Sequence, residues 1–505
     1  MTATEINERK DLDDALPPSF SDLAESSKWI REIDGLYDWF MQSEISQPIA
    51  RKSVQRHAKA LSRPTLNPHG FETIGRVIGR ATVVTGKWAT DLPNLFYRKV
   101  VFGEDSPTPK ERLIERSQHL VKAGGSSMVK LGQFVSTAKG LLPDEIVESF
   151  AWCRDSVDPL SGDVVISLIE SELNVKIDEI FETFEKEPMA AASIAQVHRA
   201  TLKGGCEVVV KVQRPGLKEQ FCKDLRAMAL LAYGAEFGFK GARLANLSGF
   251  VELFASLVLE ELDFKNEALN MVELGLAAEH AEADFVVFPR PLPPYITSKV
   301  LIMERLRGVS YADADWTKVP KEEREKLLRL VIQGVLEHTL VYGVFHGDLH
   351  AGNVLADTDG KLGLIDYGIV GRLSVEERAA LVRFMVGVGL NDTSLQLAAL
   401  KEFGAVPEEC DTEELAKKMD ISVLLPESVT QENLADQVTQ VIRFLGQEGF
   451  RLPTPLVLFF KNLLYLNGFA AAVSPGTDLL AEIGPIFEYF KEKYPKEMEL
   501  IAGPL

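Results

Sequence analysis

The stretch from Phe345 to Leu373, FHGDLHAGNVLADTDGKLGLIDYGIVGRL, constrains this chain more than any other. In HGDLHAGN, Asn353 follows Asp348 by five residues. Downstream, Asp366 follows the apolar run LGLI, which reads as a strand, and stands two residues before a glycine. These polar groups are either loop decoration or the parts of a phosphoryl-transfer site. What lies upstream decides between the two.

The runs IAQVHRATL and EVVVKV flank Lys203, Gly204 and Gly205, which predicts a β-hairpin. Lys211 sits near the end of the second strand. A lysine in an apolar strand is costly unless a carboxylate or phosphate pairs with it, and otherwise reads as an exposed strand residue. The helical pattern LVLEELDFKNEALNMVEL carries Glu260, Glu261, Asp263 and Glu267. Glu267 can reach Lys211, or can belong to a solvated face. Protein kinases combine a strand Lys on the nucleotide phosphates, a helix Glu that orients it, a catalytic-loop Asp with Asn five residues on, and a metal-binding Asp before a Gly. On that pattern Asp348 accepts a hydroxyl proton or orients water. Asn353 and Asp366 offer the oxygen ligands that hard Mg²⁺ prefers. Taken together, the set points to phosphoryl transfer.

No G-x-G-x-x-G precedes the lysine strand; PMAAASIAQVHRA, from Pro188 to Ala200, stands in its place. A glycine loop lets backbone amides wrap phosphates closely, whereas each alanine adds a Cβ and restricts the backbone. No Ala-Pro-Glu follows Asp366 either, so an ordinary protein kinase is disfavoured.

The sequence resembles the UbiB/AarF family of atypical kinases. The resemblance rests on KLGQ (Lys130 to Gln133, with Gly132), AAAS (Ala190 to Ser193), VVVK ending at Lys211, ELD (Glu261 to Asp263), Glu267, HGDLHAGN and DYG, in family order. Tyr367 replaces the usual Phe, and Val209 and Val210 replace smaller residues. The resemblance implies an α+β, bilobal protein-kinase-like fold, with a small β-rich N-lobe, a helical C-lobe and an N-terminal helical extension. Its expected divisions are a polar and helical extension at 1–118, a KxGQ segment over the active site at 119–187, an N-lobe at 188–310 and a C-lobe at 311–505. It implies ATP and Mg²⁺ as cofactors. ATP contacts are expected from Ala190, Ala191, Ala192, Ser193, Lys211 and Glu304, metal contacts from Asn353 and Asp366, and catalysis from Asp348, Lys211 and Glu267. Lys130, Gly132, Gln133, Glu261 and Asp263 form the family-specific regulatory set, with Lys130 pairing with Glu261 and Asp263. The implied function is ATP hydrolysis or phosphorylation of a lipid or isoprenoid-like small molecule, in support of ubiquinone or related quinone biosynthesis, with quinone-biosynthesis enzymes as partners. The alternatives are an aminoglycoside-phosphotransferase-like small-molecule kinase, which lacks KxGQ, and a pseudokinase scaffold, which would lose the catalytic set.

Composition narrows the setting. The 505 residues fit two to four domains, or one large domain with extensions. A net charge of −19 argues against nucleic-acid binding. Four cysteines form no CxxC pair, which fits a reducing compartment and no zinc site. The acidic opening residues predict no secretory leader, and a cytoplasmic location is expected. Pro455 to Val473 is the most apolar stretch; Lys461, Asn462 and Asn467 interrupt it, so it reads as a buried core helix. Residues 51–100 carry ten Lys or Arg against two acids. That block either pairs with the acidic body of the protein or makes a peripheral contact with anionic lipid.

Overall fold

The computed structural model describes residues 18–64, 75, 129–133, 150, 159–238, 247–357, 360–390, 392–418, 444–445, 448, 450, 452–477 and 479–502. These fall into two compact units. One comprises the residues up to Pro48 together with those from Asp263 onward; the other runs from Ile49 to Leu262. Most of the basic block at 51–100 lies outside the described residues.

In chain order the helices are α1 (Phe20–Ser26), α2 (Leu36–Leu61), α3 (Gly162–Leu173), α4 (Leu217–Gly238), α5 (Leu247–Glu261), α6 (Phe264–His280), α7 (Lys321–Leu340), α8 (Val375–Gly389), α9 (Thr393–Glu402), α10 (Thr454–Val473), α11 (Leu479–Lys493) and α12 (Pro495–Ala502). The strands are β1 (Phe181–Phe184), β2 (Ala190–Ala191), β3 (Ala195–Leu202), β4 (Glu207–Gln213), β5 (Val286–Val287), β6 (Pro291–Ile296), β7 (Val300–Glu304), β8 (Val309–Ser310), β9 (Val344–His346), β10 (Val354–Ala356), β11 (Leu362–Leu364) and β12 (Val370–Arg372). Helices and largely antiparallel strands are segregated along the chain, so the α+β class holds.

In the unit from Ile49 to Leu262, β3 pairs with β1, β2 and β4, all antiparallel. The expected hairpin is present, with Ala195 opposite Gln213 and Thr201 opposite Glu207. Gly204 and Gly205 close it at φ 108° and 86°, a region open to glycine and costly for a side chain. Behind the strands, α4 and α5 bury Phe221, Leu225, Phe254 and Val258 against Ala58 and Leu61 of α2 and against Ile194. Each large apolar side chain so buried is worth roughly 1.5–3 kcal/mol.

The other unit is built around α6. Every residue of this helix from Glu267 to Ala278 is buried, as befits a central core helix. The N-terminal segment packs on it. Ser27 Oγ donates to the Glu279 carboxylate. The backbone N–H groups of Lys28 and Trp29 donate to Glu279 Oε1 at 3.1 and 3.0 Å. A Cβ at Gly275 would lie 2.4 Å from the Trp29 ring, so only glycine fits there. Strands β8, β10, β11 and β5 form one small sheet, β9 and β12 a second, and β6 and β7 a hairpin. The Pro455 to Val473 stretch is helix α10. By length and composition it could cross a membrane, and half of its apolar window is buried in protein.

Candidate phosphoryl-transfer site

His346 ends β9, which pairs with β12 so that Val370 faces it. The approach is close at Gly347, whose N–H donates to Ile369 O at 2.8 Å; a Cβ there would meet the Ile369 side chain at 2.7 Å. His346 is buried, and burial lowers its pKa, so the ring is neutral. Its two nitrogens then have separate tasks. Nε2 faces the Asp366 carbonyl at 2.8 Å and must carry the proton. Nδ1 accepts the Asp348 N–H at 3.1 Å. One neutral imidazole therefore ties the backbones of the two aspartates together.

Asp348 meets a partner that the sequence did not reveal. Lys461 Nζ of α10 lies 2.9 Å from Asp348 Oδ1, with 13% and 21% of the two side chains exposed. Burial works to raise the Asp348 pKa; the Lys461 charge, with His350, outweighs it and holds the carboxyl below its usual range. Asp348 is thus an anionic acceptor at neutral pH with a cation against it. The next residue, Asn462, donates from Nδ2 to His346 O. The only signal in the sequence was the presence of these polar residues in an otherwise apolar helix.

Asn353 closes a 3₁₀ turn, Ala351–Asn353, just before β10. Its Nδ2 donates to Asp348 O at 2.9 Å, which leaves the carboxamide oxygen as the ligand it offers. Ile365 N–H donates to Asn353 O at 2.9 Å, and Asp366 follows directly. Asp366 adopts φ 63°, a left-handed conformation costing a residue with a Cβ on the order of 1 kcal/mol. Its Oδ1 accepts the Gly368 N–H at 3.2 Å. Among the described residues no group of three or more His, Cys, Asp or Glu could hold a metal. Asn353 and Asp366 instead fit Mg²⁺ as it is commonly held, by one or two protein oxygens with water and substrate phosphates completing the shell.

Helix α6 grips Tyr367 and Arg372 through three positions one turn apart. Glu267 Oε1 accepts the Tyr367 N–H at 3.4 Å. Asn270 Nδ2 donates to Tyr367 O, and Arg372 Nη2 donates to Asn270 Oδ1, both at 2.8 Å. Arg372 also pairs with Glu273. Buried polar groups need such partners, and Asn270, Glu273 and Arg372 satisfy one another. Glu267 is therefore buried rather than part of a solvated face. Asn270, Glu273 and Arg372 were missed by motif reading; the i, i+3, i+6 spacing of polar residues in a buried helix was the available signal.

In the unit from Ile49 to Leu262, Lys211 is buried on β4, so the exposed-strand reading falls. Ala190 and Ala191 pair with Val197 and Gln196, and Ala192 N–H donates to Ala195 O at 2.8 Å. The alanine stretch is thus a tight hairpin. Ser193, also buried, donates from Oγ to Gln133 Oε1 at 2.8 Å, and Arg214 Nε donates to Ala192 O at 3.0 Å. Residues 129–133 are helical, Gly132 is buried, and Lys130 pairs with Glu261. Asp263 and Glu267 belong to the other unit. The Asp263 carboxylate caps α6 by accepting the Lys265 N–H at 3.1 Å. Glu304, expected at the nucleotide, has its carboxylate engaged by Arg290, from Nε at 2.8 Å and Nη2 at 2.7 Å. Any nucleotide contact from this residue would fall to its backbone.

A family model for the ABC1 atypical kinase-like domain matches residues 153–398. That span includes Lys211, Glu267, Asp348, Asn353 and Asp366 and stops short of Lys461. A protein named "Probable protein kinase UbiB" from Pseudomonas putida (strain W619) is 32% identical, over 74% of this chain and 70% of its own. An uncharacterized aarF domain-containing protein kinase, chloroplastic, from Arabidopsis thaliana is 27% identical over 82% of each chain. A solved structure of Rv3197 with erythromycin from Mycobacterium tuberculosis gives a TM-score of 0.44 at 22% identity, over 72% of this chain and 97% of that one, too low to argue from. On the family match and the UbiB relative, this chain belongs to the ABC1 atypical kinase-like family, that of UbiB and the aarF-domain kinases, and its kinase-like fold implies nucleotide binding.

Proposed function

We propose that this chain is an ATP-dependent phosphotransferase or ATPase of the UbiB/AarF type. The observation that carries the reading is the frame around His346: one neutral imidazole positions the backbones of Asp348 and Asp366, while Lys461 keeps Asp348 ionised. Lys211 and the Ala190 to Ser193 hairpin would hold the nucleotide phosphates, and Asn353 and Asp366 the Mg²⁺. Bound MgATP would supply the phosphoryl group and neutralise its charge. Asp348 accepts the proton of the attacking hydroxyl, or orients a water. Glu267 is expected to orient Lys211.

The substrate favoured is a lipid or isoprenoid-like molecule, in support of ubiquinone or related quinone biosynthesis. The support for this is the UbiB resemblance and the relatives that carry that name. Quinone-biosynthesis enzymes are the proposed partners. The proposed setting is cytoplasmic, with a peripheral membrane contact through the basic block at 51–100. Purified protein with Mg²⁺, with and without anionic liposomes, should hydrolyse ATP. MgATP should also raise the melting temperature, and Lys211→Ala or Asp366→Asn should largely abolish that shift. Asn tolerates the left-handed backbone at 366, so the second variant tests the ligand oxygen and not the fold. Equal shifts in all three proteins would remove ATP from the reading.

A further inference from the structure

The segment SFSDLAESSKWIREI, Ser19 to Ile33, lies far ahead of the span that the family model matches. It belongs to the same compact unit as α6 and is docked on that helix. Ser19 and Asp22 form a capping box that starts α1, and Leu23, Ala24 and Ile30 are buried. At Ser27 the backbone turns extended. Ser27 Oγ and the N–H groups of Lys28 and Trp29 then converge on one carboxylate, that of Glu279 near the end of α6. One turn earlier the Trp29 ring covers Gly275, where a Cβ would stand 2.4 to 2.9 Å from three ring atoms. Further on, Glu32 pairs with Arg290, whose Nε and Nη2 hold Glu304 at the end of β7.

Hydrogen bonds to a carboxylate are stronger than neutral ones and fix direction as well. The segment therefore holds the last turns of α6 in place. The earlier turns of the same helix hold Tyr367 and Arg372 through Glu267, Asn270 and Glu273. Glu267 and Glu279 are twelve residues apart, about 18 Å along one continuous helix. Such a helix moves as a rod. An axial shift of about 1 Å at one end reaches the other and takes Asn270 out of bonding range of Tyr367.

We propose that the segment from Ser19 to Ile33 positions Tyr367, and with it the backbone of Asp366, through α6, with Trp29 and Glu279 as positioning residues. The mechanical half of this inference needs no ATP. Its kinetic consequence rests on the proposed function.

The test is hydrogen exchange on the full chain without nucleotide, comparing the native protein with the double variant Gly275→Ala, Glu279→Ala. Alanine favours a helix over glycine, so the first change displaces Trp29 without weakening α6 itself. Lost protection at the Lys28 and Trp29 amides marks the undocked segment. Exchange at the Tyr367 amide should then rise about tenfold while that of α10 stays within about twofold. Glu279→Ala alone serves if the double variant does not fold. Three results would each overturn the proposal: a segment that keeps its protection without both grips, a Tyr367 amide that stays protected beside an undocked segment, and a rise spread evenly over the whole unit. In the kinetic arm, turnover at saturating MgATP should fall about fivefold with little change in KM. Undiminished turnover beside raised Tyr367 exchange would overturn the positioning role. Native protein that turns over no ATP would instead remove the ATP reading, which the exchange arm does not use.

Discussion

The loop around Asp348 and the hairpin around Ala192 would both face phosphate under the proposed function, yet they are held in different ways. The first is wired into the protein interior. His346, Asn353, Asn462 and Lys461 each fix one of its backbone or side-chain groups, and α6 clamps the neighbouring Tyr367. The second is a hairpin with Ala190 and Ala192 exposed, tied by Ser193 to Gln133 and by Arg214 to a carbonyl. A loop satisfied by a buried network has little freedom to readjust, because any shift leaves polar groups unpaired. An exposed hairpin can shift at small cost. The difference suggests that chemistry resides in the rigid loop and nucleotide affinity is tuned in the soft one.

The largest expected effect lies in the rigid loop. Asp348→Asn should keep nucleotide binding and reduce turnover on the order of 10²-fold or more. A rate within a factor of about two of the native protein would take Asp348 out of the reaction.

Lys461→Met should lower turnover by about tenfold and move the pH profile. Asp348 has a depressed pKa in the folded protein, so its ionised form persists below the ordinary carboxylate range and is lost only as pH falls through that depressed value. Without Lys461, burial is left to push the pKa upward. The acid limb of the rate profile should then move to higher pH. An acid limb that stays in place would mean that Lys461 does not set the charge on Asp348.

In the soft loop the effects should be smaller and should appear in binding. Ser193→Ala removes the bond to Gln133, worth about 1 kcal/mol, so MgATP affinity should fall roughly fivefold while turnover at saturation changes little. A large loss of turnover instead would show that this hairpin is catalytic. Smallest of all, Ala192→Gly should loosen the hairpin backbone and, under the proposed function, tighten ATP binding by about twofold to threefold. Unchanged binding would make the alanines structural filler.

Part of this site could be read along the chain. His346, Asp348, Asn353 and Asp366 lie on one short stretch whose strands and turns are fixed by nearby residues, so their spacing already implied their association. The hairpin bearing Lys211 was legible for the same reason: β-branched alternation and two glycines set its register locally. Glu267 was found by motif, but its neighbours Asn270 and Glu273 were not. Their partners Tyr367 and Arg372 are far along the chain, and only the packing of α6 against β12 and its preceding turn shows that the polar positions of that helix are used.

Lys461 and Asn462 mark the limit. The sequence by itself determined that an apolar helix contains two adjacent polar residues, which argues for a core helix over a membrane span. It could not determine what they touch. A contact between Lys461 and Asp348 depends on how α10 docks against the loop that carries Asp348, and that docking is the sum of many nondirectional apolar contacts spread over distant segments. Local spacing and backbone chemistry set the loop that carries Asp348; tertiary packing alone chose the cation beside that aspartate.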